Sequence, residues 1–183
     1  MRAFLAFPLD DENKTAIRPV IEEGRKKFPD IKWVKPENLH MTLLFLGNID
    51  DETETWVREI CSEAVGKHRA FDVQYEGLSQ FPPKGKARVI FSPLIEGGRE
   101  CTAIYNDLYP IFQERFSLRG NRYSPHITLG RVRKGKKHRS LQESDFTQKL
   151  KGNYRIDRII FYQSVLQSGG PVYNEITSFV LQS

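Results

Sequence analysis

No stretch of this chain stays apolar for the about 18 residues that a membrane helix requires. Near the N-terminus Ala3-Phe4-Leu5-Ala6-Phe7 is apolar, but Pro8 and the acidic residues from Asp10 end the run too early for a signal-peptide core. It reads as the first strand of a cytoplasmic protein that makes no membrane contact. Cysteine is scarce: Cys61 and Cys101 are the only two, without the spacing of a metal or redox motif, so a disulfide framework is excluded and buried thiols are expected. No Gly-, Ser- or Pro-rich linker interrupts the 183 residues. A chain of that length buries roughly 70% of its unfolded surface as one unit. Residues 1–183 are therefore expected to form one domain of two lobes that behaves as a rigid body.

Against these absences stands one repeated pattern. Leu39-His40-Met41-Thr42-Leu43 reappears in outline as Ser124-Pro125-His126-Ile127-Thr128-Leu129-Gly130-Arg131, the two histidines being 126 − 40 = 86 positions apart. In an extended strand successive side chains alternate faces, so each histidine shares a face with the threonine two residues on. Met41 and Leu43, like Ile127 and Leu129, then point into a core. Each unit reads as a half-buried strand that presents an imidazole and a hydroxyl.

The net charge of +5 suits a polyanionic partner, and its distribution says more than its total. Arg131, Arg133, Lys134, Lys136, Lys137, His138 and Arg139 form a basic run that starts where the second unit ends. A run of this kind is usually a solvated loop; its adjacency to the histidine unit favours a rim that attracts phosphate.

Periodicity places the remaining elements. Acidic residues from Asp10 open a helix with Ile17, Val20, Ile21, Gly24 and Phe28 on one face; Pro19 either belongs to a late first turn or kinks it. Ile31 to Val34 is a short strand, and Asp50 opens a second helix facing inward through Val57, Ile60, Cys61, Ala64 and Val65 and stopping at Gly66. Phe71 to Tyr75 and Ala87 to Phe91 alternate as strands, a third helical segment runs from Gly97-Gly98 through Phe112 with Pro110 inside it, and 141–150 is polar. Arg158 to Val165 and Pro171 to Leu181 close the chain across Gly169-Gly170. Helix, turn and His-x-Thr strand thus occur twice in the same order. Two similar lobes, each an antiparallel sheet backed by helices, with a groove between them, are the physical expectation.

The residue types narrow the chemistry. There is no His-x-His, His-Glu-x-x-His or cysteine pair, and no carboxylate lies within either unit, so a metal site is not expected. No Gly-x-Ser-x-Gly elbow supplies a covalent nucleophile. Two imidazoles with ordinary pKa about 6.5 can give and take protons near neutrality, and paired threonine hydroxyls can donate to an oxyanion. That equipment suits in-line displacement at a phosphodiester, with Thr42 and Thr128 on the non-bridging oxygens. Arg131 would add a charge-assisted contact, although in a regular strand it points away from His126 and Thr128, so this role requires a bend near Gly130 or a reach from the strand end. His68 and His138 lack patterned neighbours and read as structural.

The residues 39–47, Leu-His-Met-Thr-Leu-Leu-Phe-Leu-Gly, and 124–131, Ser-Pro-His-Ile-Thr-Leu-Gly-Arg, resemble the paired signatures of the 2H phosphoesterase superfamily. Within it the likeness is to the bacterial and archaeal RNA 2′,3′-cyclic phosphodiesterases, historically called 2′-5′ RNA ligases. Residues 2–9, 77–82, 88–91 and 164–173 carry the likeness through most of the chain. The resemblance implies an α+β, bilobal fold of two antiparallel sheets with an internal pseudo-two-fold and a central groove. It further implies hydrolysis of an RNA or nucleotide 2′,3′-cyclic phosphate to a 2′-phosphate without metal or other cofactor, and reversible 2′-5′ joining of tRNA halves. His126 would activate water, His40 would protonate the departing 3′ oxygen, and Thr42, Thr128 and Arg131 would hold the phosphate. A monomer with no obligate protein partner is expected. Two alternatives stay open, a phosphodiesterase for another small cyclic nucleotide and an RNA-binding protein without activity on the same scaffold. Phe45, Phe81 and Tyr123 are the candidates for stacking on a base, with packing the ordinary use of such rings.

Overall fold

The computed structural model describes residues 1–116, 118 and 123–183. Ten strands and three α-helices follow one another in these residues. The first sheet holds β1 (Arg2–Pro8), β3 (His40–Asn48), β9 (Arg158–Gln167) and β10 (Gly170–Val180) in the order β10-β9-β1-β3. The second holds β2 (Ile31–Trp33), β4 (Phe71–Glu76), β6 (Val89–Glu96), β7 (His126–Val132) and β8 (Lys151–Ile156) in the order β2-β7-β6-β4-β8, with β5 (Ser79–Phe81) paired to β6. Every strand pair in both sheets is antiparallel.

The repeated order is present in three dimensions: β1 leads through α1 (Asp11–Lys27) to β3, and β6 leads through α3 (Gly98–Phe116) to β7. Each leading strand pairs with its own histidine strand. The lobes are nonetheless interwoven. β2 leaves the first half of the chain to pair with β7, while β9 and β10 from the end of the chain complete the first sheet.

The helices form where capping and periodicity place them. Asp10 caps α1 by accepting from the Asn13 amide at 2.7 Å, and Asp50 caps α2 (Asp51–Val65) by accepting from the Thr53 amide at 2.9 Å. Ile17, Val20, Ile21 and Gly24 are buried on α1, and Val57, Cys61, Ala64 and Val65 on α2; Ile60 is only half-buried. Pro19 lies in the interior of α1 and Pro110 in the interior of α3, so neither ends its helix. Each ring removes one intrahelical hydrogen bond, and the packed faces on both sides keep the helix continuous. Both thiols are buried, and burial pushes Cys101 up to about 12 and Cys61 higher still.

Three elements depart from the pattern reading. The strand expected at Ala87 begins at Val89 and runs to Glu96 through Pro93. β5 and β8 have no counterpart in that reading. In β8 only Tyr154 and Ile156 turn inward, and the Gly152 and Asn153 between them and Lys151 mask the alternation. The buried apolar side chains form one continuous cluster that includes Leu5, Phe7, Met41, Leu43, Ile127 and Leu129. Among the described residues no helix is long and apolar enough to cross a membrane.

Candidate active site

Strands β3 and β7 are in contact, and their histidines lie close enough for the charge of His126 to act on His40. The exposure of His40 to Phe45 runs half-buried, buried, half-buried, buried, buried, exposed, and His126 to Arg131 repeats that series. The series breaks strict alternation at the same place in both strands. In the β1–β3 pairing Leu5 faces Leu44 and Ala6 faces Thr42, so Leu43 is an extra residue. In the β6–β7 pairing Ile90 faces Gly130 and Phe91 faces Thr128, so Leu129 is the extra one. A bulge directly after each threonine flips every later side chain to the other face.

That flip answers the difficulty with Arg131. A regular strand would turn it away; the bulge at Leu129 returns it to the face of His126 and Thr128. Gly130 permits the local packing, since a Cβ there would come within 2.7 Å of the Ile31 side chain and 3.3 Å of the Trp33 ring. The matching position in the first strand is Phe45, because 45 − 40 = 131 − 126 = 5. One strand thus ends its series on a cation and the other on an aromatic ring that is 57% exposed.

The two imidazoles are oriented in the same way. The Nδ1–H of His40 donates to the Asn38 carbonyl at 2.7 Å, and that of His126 to the Ser124 carbonyl at 2.7 Å. With Nδ1 holding the proton, Nε2 of each neutral ring carries the lone pair. His40 Nε2 accepts from the Thr42 hydroxyl at 3.0 Å. Among the described residues no protein group bonds His126 Nε2. The Asn38 and Ser124 carbonyls lie two residues before their histidines and, being backbone atoms, leave no mark in the side-chain pattern. Asn38 is in turn fixed by donating from Nδ2 to the Pro171 carbonyl at 2.8 Å, and the Tyr123 hydroxyl donates to the Thr42 carbonyl at 3.2 Å.

Aromatic rings wall each imidazole. Phe4 lies 5.0 Å and Tyr173 5.3 Å from the His40 ring centre, and Phe91 and Phe81 lie 4.8 and 5.2 Å from that of His126. Burial therefore holds His40 down to about 4; the Asn38 carbonyl opposes this, and the charges of Arg131, His126 and Lys14 add to it. Burial also lowers His126, against the Ser124 carbonyl and with help from Arg131. Both rings are neutral in the free protein at pH 7.

Two clefts lie beside the histidines, the first including His126 and the second neither ring but the Tyr173 that packs on His40. One, of about 700 Å³, is lined by Thr42, Phe45, Phe81, Tyr105, Tyr123 and His126. The other, of about 750 Å³, contains Asn38, Arg131 and Tyr173 and extends along β2. Of the three rings considered for stacking, Phe45 alone presents an open face. Phe81 stacks on Phe91 at 4.3 Å, and Tyr123 stacks on Tyr105 at 4.5 Å.

The remaining histidines lie elsewhere: His68 bonds Asp107 at 2.9 Å, and the His138 ring packs edge-on against Phe28. The basic run divides. Arg131 and Arg133 line the second cleft, whereas Lys136 pairs with Asp30 at 3.6 Å and Arg139 pairs bidentately with Asp145. Among the described residues no group of three or more His, Cys, Asp or Glu side chains could hold a metal ion.

The family model of the LigT-like phosphoesterases matches residues 8–91, the span that carries His40. An RNA 2′,3′-cyclic phosphodiesterase of Archaeoglobus fulgidus is 31% identical over 98% of this chain and 99% of its own length. One of Thermotoga maritima is 30% identical over 94% of this chain and 91% of its own. A crystal structure from Thermus thermophilus superposes with a TM-score of 0.83 at 26% identity, covering all of this chain and 98% of that one.

Proposed function

The chain belongs to the LigT-like phosphoesterases, and from that membership and the paired imidazoles we propose that it opens the 2′,3′-cyclic phosphate of an RNA end to a 2′-phosphate. The observation that carries this reading is the matched pair of Nδ1-anchored histidines, each followed by a threonine and a bulge on the same face.

Water attacks phosphorus in line with the P–O3′ bond. The lone pair on His126 Nε2, which no described protein group occupies, takes the proton of the water as the new P–O bond forms. The P–O3′ bond breaks, and His40 Nε2–H protonates the departing 3′ oxygen. Thr42, Thr128 and Arg131 donate to the non-bridging oxygens, where negative charge collects. A ribose 5′-hydroxyl in place of water would give a 2′-5′ linkage through the same two proton transfers. No metal enters either step.

His40 is neutral in the free protein, so it must take up a proton from solvent as the substrate binds. An anionic phosphodiester beside the ring favours the imidazolium and raises its pKa. A protonated Nε2 no longer accepts from Thr42, which frees that hydroxyl for the phosphate. This has a kinetic signature. The acid loses its proton as pH rises through its pKa, so it sets the descending limb of the rate profile. Because kcat/KM reports the free protein, its descending limb is expected below the ordinary histidine value of about 6.5, with that of kcat at higher pH. Coincident limbs, or a rate that reaches an alkaline plateau, would contradict the two-histidine reading.

Phe45 offers the open face for the base of the terminal nucleotide. Stacking of this kind is worth roughly 1–3 kcal/mol by alanine substitution, so Phe45→Ala is expected to raise KM about 5- to 150-fold. Steady-state kinetics on one cyclic-phosphate substrate checks this; an unchanged KM would place the base elsewhere.

A further inference from the structure

We propose that the second cleft carries the 5′ body of a single RNA strand whose cyclic end lies between the histidines. This rests on the function just proposed and extends it, from a nucleotide end to a polyanionic strand. Arg18 and Arg25 of α1, Lys32 of β2, Lys35 two residues beyond it, and Arg131 and Arg133 at the end of β7 and just beyond all line this cleft. Arg18 and Arg25 are two helical turns apart and share a face. Among the described residues none of the six forms an ion pair, although Glu22 and Glu37 share the cleft. Lys136 and Arg139 of the same basic run, by contrast, are neutralised by Asp30 and Asp145.

Two of the cationic side chains are held without being neutralised. Arg25 Nη2 donates to the Val34 carbonyl at 3.2 Å, and Arg133 Nε to the Pro29 carbonyl at 3.0 Å. Lys32 stands directly opposite Arg131 in the β2–β7 pairing, so two like charges face each other across neighbouring strands. That arrangement is unfavourable in the free fold and becomes favourable once an anion lies between them.

Continuity with the site sets the direction of the strand. A 2′,3′-cyclic phosphate ends an RNA at its 3′ side, so the base and the 5′ phosphate of that last nucleotide must leave the ring in different directions. The aromatic cleft with Phe45 takes the base, and the cationic cleft that begins at Arg131 takes successive phosphates. A base lying on Phe45 is unpaired, which makes the occupant single-stranded.

The test compares a mononucleoside 2′,3′-cyclic phosphate with a strand of about six nucleotides ending in the same group, at about 50 and 200 mM salt. For the wild-type protein kcat/KM is expected to be at least about tenfold higher for the strand and to fall more steeply with salt, by about 0.7 in logarithmic slope per phosphate engaged. The variant Arg25→Ala/Lys32→Ala/Arg133→Ala is expected to lose that advantage and the added salt slope while turning over the mononucleoside as before. Equal turnover of the two substrates by the wild type, or an equal loss of both in the variant, would overturn the proposal. Fluorescence anisotropy with a strand ending in a 2′-phosphate requires no chemistry. Salt-sensitive binding that the triple variant loses would support the cleft assignment even if cyclic phosphates were never hydrolysed. Displacement of that strand by a polyglutamate peptide at equal charge concentration would overturn the assignment in favour of an acidic protein.

Discussion

Replacing His126 with alanine is expected to lower kcat on a cyclic-phosphate RNA end by about 10²- to 10⁴-fold, the usual range for a positioned general acid or base. His40→Ala is expected to do the same. Both rings sit on the groove side of their strands, while Met41, Leu43, Ile127 and Leu129 carry the core face, so the fold has little to lose from either change. The double variant is expected to be little worse than the poorer single one, because proton removal and proton donation belong to a single displacement and do not add. Binding of a 2′-phosphate strand should survive in all three, since Thr42, Thr128 and Arg131 remain. If either alanine variant kept more than about a tenth of the wild-type kcat, that histidine would not be transferring a proton in the rate-limiting step.

Arg131→Ala is expected to cost about 10²- to 10³-fold in kcat, as is typical when one donor to a developing oxyanion is removed. Arg131→Lys should recover only a minor part, since a point charge cannot reproduce the planar fork that grips two oxygens at once. A second consequence separates this role from a structural one. The Arg131 charge helps to hold both imidazoles low, so its loss should move the descending limb of kcat/KM to higher pH as the acid regains its proton more readily. A loss of activity with an unchanged pH profile would mean that Arg131 acts at a distance from the histidines.

The pairing of imidazole and hydroxyl on one face was legible because it is written in period two. His40 with Thr42, and His126 with Thr128, declare themselves as polar pairs on otherwise apolar strands, and their anchoring lobes follow from the helices that precede them. What strict alternation conceals is the bulge. Leu43 and Leu129 are indistinguishable in sequence from ordinary inward residues, so the return of Arg131 to the face of His126 and Thr128, and its equivalence to Phe45, emerge only from the pairing register. The same limit applies to charge. Asp30 and Asp145 are far in sequence from the cations they neutralise or reach them across a loop, whereas Arg18 and Arg25 join the cleft from a helix that carries no other sign of the site. The crossing of β2 to the second sheet was hidden for a related reason: three residues, Ile31-Lys32-Trp33, do not encode a partner. Trp33 fixes it through shape, seated where a Cβ on Gly24 would collide with its ring and one on Gly130 would press against it.

The most direct test is to incubate the protein in EDTA with a short RNA bearing a 2′,3′-cyclic phosphate and to identify the phosphomonoester formed, alongside the His40→Ala and His126→Ala proteins. The account predicts a 2′-phosphate from the wild type, undiminished by the chelator and essentially absent with either variant. A 3′-phosphate product, activity that disappears in EDTA and returns with a divalent cation, or hydrolysis that survives the loss of either histidine would contradict it.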